Sequence, residues 1–259
     1  MKWWRAKPQV EWILFHRVEG GEPVEFFEVR LYRETVWTCA GAPQTFGTSE
    51  VRNFDSPKHA ASELDRLLSL KQSEGWVVAS RGRYTPGQFD FTELKDAVKA
   101  ASRLSFASTM AAFSDQTICS FGLVTDDVPM TLYAVAQSVE AIEAGADEDY
   151  RAEAHWNLQA WSLEAGSAHF DVPYRMLLRQ SRDDIPFERK LDDETFAQNA
   201  IEAFVTALEE LRDEGEFTKA PHQPFLLLVE VSDSAPIEGM AERLNVDEDI
   251  LSSYRAFAG

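Results

Sequence analysis

Histidine, cysteine and clustered carboxylates are the residues of this chain that could do chemistry. His16, His59, His155, His169 and His222 stand far apart. None has the His-x-His, His-Glu-x-x-His or paired-cysteine spacing that brings ligands onto one metal, so a metal centre is not expected. His155 beside Trp156, with Trp161 close behind, is the best candidate for polar work or partner contact in the C-terminal half. The alternative is a histidine and two tryptophans packed where a helix meets a sheet, since no group to orient the imidazole is visible. Cys39 and Cys119 are too few and too separate for a disulfide framework. A nucleophilic cysteine wants a partly exposed, electropositive setting, and Cys119 lies in an apolar run that reads as core. Phosphate-cradling glycine loops and the Gly-x-Ser-x-Gly elbow are absent, so no cofactor is expected and an enzyme is the less favoured class.

Charge is distributed unevenly. The 259 residues carry a net charge of −19. Residues 1–85 hold 12 Lys+Arg against 11 Asp+Glu, and residues 86–259 hold 13 against 33. Such a C-terminal field repels phosphate backbones and attracts basic surfaces, though it also serves solubility. Its clusters, Asp126-Asp127, Asp147-Glu148-Asp149, Asp183-Asp184 and Asp192-Asp193-Glu194, lack the glycine-turn spacing of a calcium loop and read mainly as turns and helix caps. In the N-terminal part Arg30, Arg33 and Arg52 are candidate phosphate contacts. Lys58, Arg81 and Arg83 add charge, and Trp3, Trp4 and Arg5 could add stacking.

The elements that must position these residues follow from periodicity. Residues 9–18, 24–32, 35–39, 48–54 and 76–79 read as strands, the last leading into a turn-rich joint at Ser80–Gly87. Ser56 is a natural N-cap with Pro57 at the first helical position. Ala60, Leu64, Leu67, Leu68 and Lys71 then share one helix face. After the joint, Asp90 and Glu93 open a helix facing inward through Leu94, Val98, Ala101 and Phe106. Strands follow at 117–125 and 130–137, then a helix at 138–145 and one near 170–182 that must accommodate Pro173. Residues 192–214 read as the longest helix, and the apolar run 224–232 as a central strand. Two short terminal helices follow. With 44% hydrophobic residues, seven Trp and seventeen Phe, the chain can fill real cores. No apolar run approaches the ~18 residues needed to span a bilayer, so a cytoplasmic protein without membrane contact is expected. The fold class is α+β in two domains. Residues 1–85 would form a small antiparallel sheet with one packed helix, and residues 86–259 a larger, acidic, mixed α/β-type domain.

Two resemblances attach to this organisation. The segment Phe26–Trp76, with Val36-Trp37-Thr38 before a loop and Asp55-Ser56 before the helix, resembles the Trp-Gly-Arg (WGR) domain. This likeness implies a module of the nucleic-acid-sensing or accessory kind. At the naming tripeptide, however, the chain has Ala40-Gly41-Ala42, which removes the two contact side chains. From Phe89 onward the order of landmarks is similar to an uncharacterised bacterial family, the domain of unknown function 4303. These landmarks include Phe121–Asp126, His155-Trp156…Trp161, Leu208–Phe217 and Leu227–Asp233. That likeness carries no catalytic residues and implies an immunity-like or partner-binding role. The expected function is a non-enzymatic binding protein or adaptor whose acidic domain engages a basic protein. The alternative is a nucleic-acid accessory factor acting through the WGR-like module.

Overall fold

Period-two alternation builds the first sheet. In the computed structural model, which describes residues 7–144, 154–232 and 239–258, five strands pair antiparallel. They are β1 (Val10–Glu19), β2 (Glu22–Tyr32), β3 (Thr35–Gly41), β4 (Thr48–Asn53) and β5 (Val77–Tyr84), in the order β4-β3-β2-β1-β5. Ile13, Phe15, Val29 and Val36 point to one face and meet Ala60 and Leu64 of helix α1 (Pro57–Ser73). The Ser56 side chain accepts the His59 N–H at 3.3 Å, and Pro57 begins the helix. Lys71 belongs on the apolar face because its ammonium lies over the rings of Phe27 and Trp76, at 4.7 and 4.5 Å.

The opposite face of this sheet is also buried. Val10, Trp12, Leu14, Phe26, Glu28, Arg30, Trp37 and Cys39 are all closed to solvent. The chain forms two compact units. The first comprises residues 1–90 together with Leu178–Leu191, and the second residues 91–177 together with 192–259. The return segment Leu178–Leu191 supplies the partners of the second face. Gln180 fastens its ends, donating to the Leu191 carbonyl at 2.6 Å and accepting the Leu191 N–H at 2.9 Å. The turn-rich joint is shorter than its composition suggests. Strand β5 runs on to Tyr84, pairing Gly82 with Trp12, Arg83 with Glu11 and Tyr84 with Val10, and the turn is confined to Thr85–Gln88.

The second unit contains helix α2 (Phe91–Ala112), strands β6 (Ile118–Thr125) and β7 (Leu132–Ser138), and the short helix α3 (Val139–Glu143). Helix α4 (Asp171–Ser181), which counts with this unit as far as Leu177, takes Pro173 in its first turn, where the missing N–H costs no helical bond. Helix α5 (Asp193–Asp213), strand β8 (Leu226–Val231) and helices α6 (Met240–Leu244) and α7 (Glu248–Ala258) complete it. The sheet order is β7-β6-β8, with β7 antiparallel and β8 parallel to β6. The central strand is therefore β6, buried at every residue, and not the apolar segment 224–232. Strand β8 tolerates its edge position because Asn245 closes the open backbone, accepting the Leu227 N–H at 2.9 Å and donating to the Leu227 carbonyl at 2.8 Å. Helix α2, at 22 residues, exceeds α5 by one. Phe106 of α2 meets the rings of Phe121, Phe217 and Phe225 at 5.1 to 5.8 Å. The fold is α+β. Among the described residues no helix is long and apolar enough to cross a membrane.

Candidate functional site

The second face of the first sheet contains a buried polar cluster. Strands β2 and β5 bring Glu28, Arg30 and Tyr84 together, and the return segment adds Arg179 and Glu188. Arg30 Nε donates to Glu28 at 2.6 Å, and a terminal nitrogen donates to the Tyr84 hydroxyl at 2.9 Å. Tyr84 in turn donates to Glu188 at 2.8 Å. Arg30 and Arg179 each approach the same Glu188 oxygen, at 3.6 and 3.5 Å. The Arg179 guanidinium lies 3.4 Å from the Tyr84 ring centroid. Burial acts to lower the pKa of Arg30, but the carboxylates of Glu28 and Glu188 and the hydrogen bond to Glu28 outweigh it, and the guanidinium stays ionised. Burial is also the main reason the Tyr84 hydroxyl is pushed up to about 12. Arg182 completes the face, bonding Asp184 through two nitrogens at 2.7 and 2.6 Å and lying over Trp37 at 5.0 Å.

These contacts divide the three arginines expected to touch phosphate. Arg30 is 2% exposed and fully engaged, so it is a structural ion and not a phosphate contact. Sequence spacing could not reveal this, because the segment that covers it is distant in the chain. Arg52 lies on the edge strand β4 and pairs with Glu63 at 2.7 Å and Glu50 at 3.9 Å. Arg33 is exposed at the β2–β3 turn, with its guanidinium over Tyr32 at 5.2 Å. Ala40 and Ala42 are exposed as well, and their methyl groups offer no polar contact. Trp3, Trp4 and Arg5 lie outside the described residues, as does the acidic run Asp147-Glu148-Asp149.

The candidate partner contacts of the second unit lie inside it. Trp156 and Trp161 are 9% and 4% exposed and pack with Val124, Val135, Leu158, Leu226 and Leu228. They are core residues, and the packed alternative is the one the fold adopts. His155 sits edge-on to Trp156, with ring centroids 4.2 Å apart. Burial first, and then the nearby His222, lower its pKa. Among the described residues no carboxylate bonds its ring, so it lacks the orienting group of a catalytic base. Cys119 is buried, and burial pushes its thiol pKa up, opposite to the shift that activates a nucleophile. Among the described residues no group of three or more His, Cys, Asp or Glu is placed to hold a metal.

Of the three acidic clusters among the described residues, Asp183-Asp184 is ion-paired with Lys190 and Arg182, and the other two form a turn and a cap. Asp126 accepts the N–H groups of Met130 and Thr131 at 2.7 and 3.3 Å. Asp192 accepts those of Glu194 and Thr195 at the start of α5. The wider electrostatic pattern is more informative. Every described Lys and Arg of the second unit is tied to a carboxylate. Lys95, Lys99 and Arg103 of α2 form a ladder with Glu210, Glu214 and Glu216. Arg175 pairs with Asp171, Arg212 with Asp213, Lys219 with Glu216, Arg243 with Glu202 and Glu209, and Arg255 with Glu242 and Glu248. Asp115, Glu164 and Asp249 are exposed and form no ion pair with a described residue. The surplus negative charge therefore faces solvent.

Comparison with known proteins adds a family but no chemistry. Among curated proteins none matches the chain. A crystal structure of a Bacteroides fragilis protein is similar at 22% identity, covering 27% of this chain and 19% of that one at a TM-score of 0.25. That likeness is too slight to bear on fold or function. Residues 98–246, more than half of the chain, match the family described as "Domain of unknown function (DUF4303)". They take in strands β6, β7 and β8, the Trp156–Trp161 core, α5 and α2 from Val98 onward, and the chain belongs to this family.

Proposed function

We propose that the chain is a non-catalytic, cytoplasmic binding protein, immunity-like or adaptor in role, whose second unit engages a basic protein surface. One observation carries the reading. With every described cation of that unit already paired, its excess acids can be neutralised only by counterions or by a partner. Electrostatic complementarity of this kind mainly accelerates and orients association. Trp156 and Trp161 are withdrawn as anchors by their burial. Val246, 81% exposed, and Phe257, 42% exposed, flank Glu248 and Asp249 in sequence and take that place, as apolar contacts within a charged rim. Two buried free thiols, Cys39 and Cys119, suit a reducing compartment.

The likeness of the first unit to a WGR module remains part of this proposal. It is supported by the order of four antiparallel strands, a capped helix and a fifth strand. With Arg30 buried and alanines at the two contact positions, we read the module as a protein-contact platform in preference to a nucleic-acid reader. Affinity capture with the full-length protein, with and without nuclease and at low and moderate salt, tests the assignment. A basic protein that survives nuclease and is released by salt is the expected result. Material lost on nuclease treatment would instead transfer the function to nucleic acid.

A further inference from the structure

Three cations reach one groove of the first unit, and none is ion-paired with a described residue. They are Lys7, Arg33 and Arg189, and Tyr32 and Phe187 line the same groove. Its volume is about 470 Å³, within the roughly 300–1,000 Å³ of small-molecule sites. In a chain of net charge −19, where most other cations have found a carboxylate, this gathering is an exception. Glu188 also lines the groove, but its carboxylate turns inward to Tyr84, Arg30 and Arg179 and is 4% exposed. The buried cluster thus removes the one negative charge from the groove and fixes Phe187 and Arg189 on its wall.

Two backbone features hold the cations in place. Gly87 has φ +77°, and a Cβ there would meet the Arg189 Cβ at 3.2 Å, so the arginine stem lies directly over glycine backbone. Arg33 has φ +55°, a left-handed conformation at a turn position that glycine would occupy without strain. Strain retained at a rim of unpaired charge points to use of that charge. The Tyr32 and Phe187 rings pack against each other, 5.2 Å apart and tilted by 30°, and the Arg33 guanidinium lies over Tyr32 at 5.2 Å, so aromatic surface and charge share one wall. Guanidinium groups bond phosphate oxygens in a fork, and an aromatic face accepts a planar ring. Pro86 and Pro186 stiffen the walls.

We propose that this groove, independently of the acidic surface, binds a nucleoside diphosphate, with the phosphates on Lys7, Arg33 and Arg189 and the base on the Tyr32–Phe187 pair. Calorimetric titration of the full-length protein at low ionic strength, using ADP, pyrophosphate and adenosine, tests it. ADP is expected to bind, with pyrophosphate and adenosine each weaker by at least about tenfold. Arg33→Gly should hold or raise the melting temperature while weakening ADP by at least about tenfold, a split that a purely structural arginine would not give. Arg189→Ala, at an exposed position, should weaken ADP to a similar degree. The assignment is overturned if ADP gives no binding, if both variants bind ADP like the parent, or if pyrophosphate binds as tightly as ADP. A short single-stranded oligonucleotide that binds at least about tenfold tighter than ADP would replace the nucleotide with a strand.

Discussion

At the scale of the residue, Arg30 shows how context decides what a charged side chain does. In sequence it is one arginine of a weakly basic module. In the fold it joins Glu28, Tyr84 and Glu188 beneath a segment that no local pattern could place there. Arg30→Ala would leave the Glu28 carboxylate buried without its cation and Glu188 with Arg179 alone, and should cost about 3–5 kcal/mol in urea unfolding. A loss under 1 kcal/mol, the size of a surface ion pair, would show that the cluster is open to water. Asp184 makes a pH prediction. Its hydrogen bonds from Arg182 are the largest cause that holds its pKa at about 2 against an ordinary 3.8. The unfolded chain takes up the proton first, so the stability from this pair is complete above about pH 4 and lost as pH falls towards 2. Asp184→Asn should therefore flatten the fall in melting temperature between pH 5 and pH 2. An unchanged slope would remove Arg182–Asp184 from the acid transition.

At the scale of the element, periodicity was most legible where a single face is buried. Helix α1, with Ser56, Pro57 and its Ala60–Leu64 stripe, follows directly from local rules, and so do the hairpins of the first sheet. Strand β5 was less legible, because Ser80, Arg81, Gly82 and Arg83 have the composition of a turn. Pairing with β1 overrides that composition. Strand β8 misleads in the opposite direction. Its apolar run suggests a strand paired on both sides, whereas Asn245 stands in for the missing neighbour. Asn245→Ala should cost about 1–3 kcal/mol by leaving the Leu227 N–H unsatisfied, measured by hydrogen exchange at Leu227 together with global unfolding. Gly122 is a further test of packing. A Cβ there would fall 2.4 Å from the Leu158 Cδ2, so Gly122→Ala should destabilise by roughly 1–3 kcal/mol through overpacking.

At the scale of the whole molecule, the two units are not two stretches of chain. Segment Leu178–Leu191 lies beyond most of the second unit in sequence yet belongs to the first. A fragment of residues 1–90 would expose Trp12, Phe26 and Trp37 and leave Glu28 and Arg30 without Glu188. It should show poorly dispersed amide resonances, restored by adding a peptide of residues 178–191. A well-dispersed spectrum from the fragment alone would make the return segment dispensable. The sequence did disclose the charge asymmetry, the α+β class and the family likeness of the C-terminal part. It could not disclose that Lys95, Lys99 and Arg103 of α2 are tied to Glu210, Glu214 and Glu216, since those partners are more than a hundred residues away in the chain. On the proposed function, the exposed Asp115, Glu164 and Asp249 are the charges that steer the partner. The most direct test compares the parent with a variant combining Asp115→Asn, Glu164→Gln and Asp249→Asn. The measurement is the association rate with the basic protein that the parent captures after nuclease treatment, at low and moderate salt. A rate that falls with salt in the parent, and is slower and less salt-dependent in the variant, is the predicted result. Equal rates at both salts and in both proteins would contradict a function built on this charge.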